Sequence, residues 1–157
     1  MKSESEVQQE IQMFAASLGC NLMRNNSGAG MLRAEDGRES YVRFGLGNIS
    51  KEHNEEIKSS DLVGTLPMMM VYDDRNIFMR FDFVTPKVLL NRPSNWPLVG
   101  RAIYIEVKKE GWRFNPKDKR EQAQLAFINL ERARGAIAGF CASVEDFKRL
   151  IYYPIQS

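Results

Sequence analysis

The sequence predicts an α/β fold, a central mixed β-sheet flanked by helices, on three observations. An apolar stripe of Val7, Ile11, Phe14 and Leu18 recurs at helical spacing near the N-terminus. Short runs rich in β-branched and aromatic residues follow, among them Tyr41 to Gly45 and Tyr104 to Lys108. The last third then alternates helix, strand and helix patterns, the order that buries a sheet between helices.

Taken in order, the first helix spans Ser3 to Leu18, and Glu4 and Glu10 flank its stripe on opposite sides, so either can lean over a sheet edge. After Gly19, the run Leu22 to Gly30 is expected as a flexible loop that offers Arg24, Asn25, Asn26 and Ser27. Such donors suit a phosphate backbone, and they equally make an ordinary turn. Tyr41 to Gly45 is a short strand leading toward Asp61. His53, the only histidine, lies in a solvated loop or short helix, because one histidine among adjacent acids lacks the spacing to converge on an ion. Ser59 to Gly64 sets Asp61 at the start of another strand.

Met68 to Tyr72, Asp73 to Asn76 and Ile77 to Val84 read as strand, turn and strand, which makes the methionine run core. Thr85 to Arg101, with Pro86, Pro93, Trp96 and Pro97, is expected as an insertion loop at the surface. Downstream, Asn115 with Pro116 and Asp118 reads as a helix start. That helix runs to Arg134, stops at Gly135 and carries Gln122 and Gln124. Leu125 and Ile128 make its apolar face broad, so periodicity does not choose between the glutamines. Ala136 to Ala142 is a buried strand, and Ser143 caps a last helix from Val144 to Ile151 with Asp146 in its first turn.

Composition bounds the partners. With 157 residues and no internal repeat, linker or low-complexity tract, residues 1–157 read as a single domain with a real core. The formal net charge of +2 is too small to announce nucleic-acid binding by itself. Its distribution is uneven, however, since Lys108, Lys109, Arg113, Lys117, Lys119 and Arg120 cluster where they could steer phosphates. Trp112 and Phe114 interleave an aromatic component. Cys20 and Cys141 form neither a disulfide framework nor a zinc spacing, which fits a reducing, cytoplasmic setting. The acidic N-terminus lacks a signal-peptide pattern, and no apolar run is long enough to span a bilayer, so no membrane partner is expected.

The chemistry concentrates at Tyr104 to Lys108. Side chains alternate along a strand at a rise of about 3.3 Å per residue, so Glu106 and Lys108 share one face while Ile103, Ile105 and Val107 share the other. Asp61 supplies a second carboxylate. Hard oxygen ligands of this kind hold the Mg2+ or Mn2+ that offsets charge on a phosphodiester, and a neighbouring lysine can orient the attacking water. Glu-x-Lys alone is a weak signal, because exposed strands often carry such a solvated pair.

The ordered set is more specific. Glu4 with Val7 and Ile11, Arg24 to Gly28, Val42 to Gly45, Ser60 to Gly64, Ile105 to Lys108, Gln124, and Gly139 to Asp146 together resemble the VRR-NUC nucleases of the PD-(D/E)XK superfamily. Archaeal Holliday junction resolvases and many restriction enzymes belong to that superfamily, and many stand-alone VRR-NUC members are encoded by phages and prophages. The resemblance spans nearly the whole chain. It implies a restriction-endonuclease-like fold and divalent-metal-dependent hydrolysis of DNA, with Mg2+ or Mn2+ as cofactor and no small organic cofactor. The host cytoplasm is the expected setting if a phage encodes the chain.

By the same resemblance, Asp61 and Glu106 are metal-binding carboxylates, the Val107 carbonyl completes part of the shell, Lys108 is the catalytic lysine and Gln124 the helix glutamine. Glu4 matches the first-helix acid, with Glu6 and Glu10 as competitors. Arg24, Asn25, Ser27, Lys109, Arg113 and Lys117 are the candidate DNA contacts. Two departures stand out: the long segment from Asp61 to Glu106, and the extra length between Lys108 and Gln124. Within the first, Thr85 to Arg101 could serve as a dimer contact or a wedge against branched DNA. A homodimer is expected by analogy with resolvases, which cut two strands, and preference for flaps or four-way junctions rests on the family alone. The competing reading is a catalytically weak DNA-binding or partner-docking module that keeps the same fold.

Overall fold

The computed structural model describes residues 1–72, 79–83, 86–91 and 98–152. Helix α1, Glu4–Ser17, starts at Ser3, whose hydroxyl accepts from the Glu6 N–H while the Glu6 carboxylate accepts from the Ser3 N–H, a reciprocal capping box. Strands β1, Asn21–Arg24, β2, Gly28–Arg33, and β3, Glu39–Phe44, come next, followed by the short helix α2, Lys51–Glu56. The long strand β4, Leu62–Tyr72, precedes β5, Met79–Phe83, and helix α3, Pro86–Asn91. Strand β6, Leu98–Val107, helix α4, Lys119–Ala133, strand β7, Ile137–Cys141, and helix α5, Val144–Tyr152, complete the order.

The main sheet runs β1-β4-β6-β7, with β5 paired to the far half of β4. Its pairings are antiparallel except β6 with β7, which is parallel, so the sheet is mixed as expected. Strand β6 lies between β4 and β7 and is covered on both faces. Ile103, Ile105 and Val107 join Val7, Ile11 and Ala15 of α1 and Phe147 and Ile151 of α5 in one apolar core. The opposite face meets α4, where Tyr104 packs edge-on against Phe127 at 5.4 Å between ring centroids. Burying roughly a dozen aliphatic side chains at 1.5–3 kcal/mol each is what holds α1 and α5 to the sheet.

Several expectations are corrected here. The expected loop from Leu22 to Gly30 is largely strand: Leu22 is buried and β1 pairs with Leu62 to Thr65, which leaves Asn25 to Ser27 as the connection. Tyr41 to Gly45 does form a strand, but it pairs with β2 in a separate two-stranded sheet rather than joining the main one. The expected insertion loop from Thr85 to Arg101 contains α3 and the first part of β6, whose Leu98 to Arg101 pair with Leu66 to Met69. A long partner strand recruits these residues despite Gly100, a tertiary effect that local propensity does not contain. The helix after Asn115 begins three residues later than expected, because Asp118 caps it, accepting from the Arg120 and Glu121 amides. Its end is as expected, with Gly135 at φ 92° after Arg134.

The strand-turn-strand expectation around Met68 is met for β4 with β5, while its turn at Asp73 to Asn76 lies outside the described residues, as do Pro93, Trp96 and Pro97. His53 sits on α2, capped by Ser50. Among the described residues no helix is long and apolar enough to cross a membrane.

Candidate functional site

The end of β4 and the end of β6 are neighbours in the sheet, and this brings Asp61 beside Glu106. The ladder is last paired at Leu62 with Ile105, and one step beyond it Asp61 Oδ2 accepts the Val107 N–H at 3.0 Å. A residue in extended conformation points its N–H and C=O to the same strand edge, so the Val107 carbonyl faces the Asp61 side. The next amide, Lys108 N–H, turns the other way and donates to Cys141 O on β7 at 2.8 Å.

Glu106 and Lys108 face α4 as the alternation predicts, yet neither lies open to water. Their relative exposures are 2% and 7%, and that of Gln124 is 1%. Lys108 Nζ donates to Gln124 Oε1 at 2.9 Å and to Glu106 Oε1 at 3.3 Å, and Gln124 Nε2 closes the triangle onto Glu106 Oε1. The ammonium also lies 5.6 Å from the Trp112 ring centroid and 5.5 Å from that of Phe140. Four side chains, from β6, α4, β7 and the segment between β6 and α4, thus surround the lysine ammonium.

Glu106 Oε2 is buried with no hydrogen-bond partner among the described residues. A buried carboxylate oxygen without a partner is costly, and such atoms are rare unless an ion or water serves them. Burial, and then the Asp61 carboxylate, push the Glu106 carboxyl up to about 8, above the usual carboxylate range. Asp61, Glu106 and Lys108 line one cavity of about 310 Å³, with Glu4, Lys109 and Trp112 also on its wall. A pair of carboxylates and a main-chain carbonyl, all hard oxygens, fits Mg2+ or Mn2+. Among the described residues no cluster of three or more His, Cys, Asp or Glu side chains converges as a metal cage.

The first-helix acids part ways. Glu6 is engaged by the Ser3 cap and Glu10 by Lys2, at 2.7 Å, whereas Glu4 lines the cavity. The glutamines separate just as sharply: Gln124 is inside the network, and Gln122 is exposed and donates to Pro116 O at 2.5 Å.

The candidate DNA contacts scatter. Lys109 lines the cavity and is exposed, while Arg113 and Lys117 are exposed beyond its wall. Arg24 is exposed at the end of β1. Asn25 is committed within the protein: its Nδ2 donates to Leu46 O, Ser59 Oγ and Ser60 O, each at 3.1 Å, and its Oδ1 accepts from the Leu46 N–H at 2.8 Å. It bolts the base of the β2–β3 hairpin to the turn that carries Asp61, and it has no free donor for a phosphate. Ser27 lines a separate cavity beside this turn.

Sequence reasoning missed Lys58. Burial, and then the neighbouring Arg120, hold its ammonium below the usual lysine range, and it also feels the charges of Glu106 and Asp61. Its position three residues before Asp61 was the only sequence signal. Asp118, Arg120 and Glu121 also reach the cavity lined by Asp61 and Glu106, and Glu121 accepts from the Trp112 indole N–H at 2.7 Å, which fixes that wall.

Fold and site together define an α/β protein whose mixed sheet presents a carboxylate pair and a buried lysine to one cavity. Comparison of the chain with protein-family models, curated proteins and solved structures found no match.

Proposed function

We propose that this protein is a divalent-metal-dependent nuclease that hydrolyses DNA phosphodiesters, of the VRR-NUC type with a restriction-endonuclease-like fold. The observation that carries the reading is the unpartnered Glu106 Oε2, buried beside Asp61 and within the same network as Lys108. The succession α1, three antiparallel-paired strands β1, β4 and β6, then α4 and the parallel β7, supports it as the frame for such a site.

Asp61, Glu106 and the Val107 carbonyl would hold Mg2+ or Mn2+, with Glu4 on the cavity wall as a ligand through water. When bound, the ion supplies a lowered water pKa and charge neutralisation at the scissile phosphate. Lys108 contributes a fixed cation and proton donor at the same place. Its contact with Gln124 Oε1 and with two aromatic rings keeps Nζ in position, so little reorganisation is needed as negative charge develops. Hydrolysis adds water across a P–O bond, leaving a phosphate monoester on one fragment and a hydroxyl on the other. Lys109 and Arg120 on the cavity wall would hold flanking phosphates. A homodimer, and preference for branched DNA, follow from the family resemblance and belong to the same proposal.

End-labelled single-stranded, duplex, flap and four-way-junction DNA, incubated with Mg2+ or Mn2+, tests it. Wild type is expected to cut at least one substrate and Glu106→Ala none. DNA binding without cleavage of any substrate would instead favour the binding-module reading. Sedimentation that finds only monomer at micromolar concentration, with and without DNA, would remove the dimer.

A further inference from the structure

Beside the Asp61 turn lies a second cavity, of about 220 Å³, between the base of the β2–β3 hairpin and the Lys58–Ser59 segment. Its charged lining residues are Arg43 and Lys58, both half-buried, and no carboxylate lies on its wall. Neither cation is in a salt bridge among the described residues. From outside the wall, Glu52 feels Arg43, and Lys58 feels Glu106 and Asp61. Two partly desolvated cations on one cavity wall, with no carboxylate among the lining residues, leave a place that an anion can occupy.

Hydrogen bonds and ring contacts tie down the surrounding residues. Arg43 pairs across the hairpin with Ala29, its guanidinium lies 5.4 Å from the Tyr41 ring centroid, and Nη1 donates to Asn48 Oδ1 at 3.5 Å. Asn48 Nδ2 in turn ties Gly28 O and Phe44 O together, closing the hairpin base. The Lys58 N–H is anchored on Ala123 O of α4 at 3.1 Å. Ser59 belongs to the wall of this cavity and Asp61 to that of the catalytic one, and two residues span at most about 7 Å. One nucleic-acid strand can therefore reach both.

We propose that Arg43 and Lys58 form a second phosphate site, which takes a backbone phosphate of the DNA strand flanking the scissile position and so sets the direction in which that strand crosses the active site. This rests on the nuclease reading. Arg43 supplies a forked donor and Lys58 a point charge, with the Ser27 and Ser59 hydroxyls as further donors, a donor set that recognises phosphate without reading sequence.

The test is fluorescence anisotropy of single-stranded and duplex oligonucleotides with the full chain in metal-free buffer, over a range of salt concentrations. Arg43→Ala and Lys58→Ala are each expected to weaken binding about tenfold and to lower the slope of log affinity against log salt by about 1. Arg43→Lys and Lys58→Arg, which keep the charge, should retain the slope, and matched melting curves would exclude misfolding. Arg149→Ala on α5 serves as a distant control.

Unaltered affinity and slope in both alanine variants, an equal loss in Arg149→Ala, or no DNA binding by wild type would each overturn the proposal. Cleavage by wild type with unaltered slopes removes the second site and leaves the nuclease reading standing. Altered slopes without cleavage remove the nuclease reading and with it the flanking role, leaving a phosphate-binding pair alone.

Discussion

The main-chain N–H of Val107 donates to the side chain of Asp61 at 3.0 Å, so one carboxylate both fixes the end of β6 and faces the Glu106 carboxyl on the same strand. Structure and chemistry can be separated there. Asp61→Asn keeps an oxygen that can accept the Val107 amide but removes the charge that, after burial, raises the Glu106 carboxyl. It is expected to fold with stability equal to or above wild type and to lose hydrolysis by at least about 100-fold. Asp61→Ala forfeits the hydrogen bond as well and should cost about 1 kcal/mol in chemical denaturation. An active Asp61→Asn would contradict the assignment.

Gln124 is expected to matter and Gln122 not. Gln124→Leu leaves Lys108 with one partner fewer in a buried site, which should cost about 1–3 kcal/mol and lower turnover, because Nζ loses the contact that positions it. Gln122→Ala, on the exposed face of α4, should fall within about 0.5 kcal/mol of wild type. Urea melts of the two variants, with cleavage assays beside them, decide the matter.

A pH-dependent stability follows from Glu106. Burial, and then the Asp61 charge, push the folded Glu106 carboxyl up to about 8, above the ordinary glutamate value of 4.5. Below the lower value both states hold the proton and the fold bears no ionisation penalty. As pH rises from about 4.5 to about 8, the unfolded chain ionises while the folded one keeps its proton, so stability declines and then levels off. The metal-free protein should lose a few kcal/mol over this window, and Glu106→Gln should abolish the loss. A divalent ion needs the carboxylate, so its binding competes with that proton. The rise in melting temperature on adding Mn2+ should therefore be larger at pH 8.5 than at pH 6, and an equal rise at both would count against Glu106 as a ligand.

Gly64 is the least replaceable glycine in the sheet. A Cβ there would meet Asn21 O at 1.9 Å, a backbone atom of β1, so Gly64→Ala must spread β1 from β4. A loss of about 2–3 kcal/mol or more is expected. At Gly30, where a Cβ meets nothing within 4 Å and φ is not positive, alanine should be tolerated within about 1 kcal/mol. Thermal melts of the two variants compare them directly.

Much of this molecule was legible in its sequence because local rules govern it. The 3.6-residue stripe of α1, the two-residue alternation that sends Ile105 and Val107 one way and Glu106 and Lys108 the other, the Gly135 stop and the Ser143 cap are each decided within a few neighbours. The same alternation puts Glu106 and Lys108 on one face, while Asp61 is singled out by its place at the start of a strand and by the family resemblance. What only the tertiary structure decided depends on which segments meet. Pairing along β4 converts Leu98 to Arg101 and Asn21 to Arg24 into strand, and the packing of α4 across β6 buries Glu106, Lys108 and Gln124 together, where periodicity alone does not separate Gln124 from Gln122. The commitment of Asn25 to the Asp61 turn and the approach of Arg43 to Lys58 join residues far apart in the chain. Hydrogen bonds and desolvation of this kind depend on distance in space, and a single sequence records only distance along the chain.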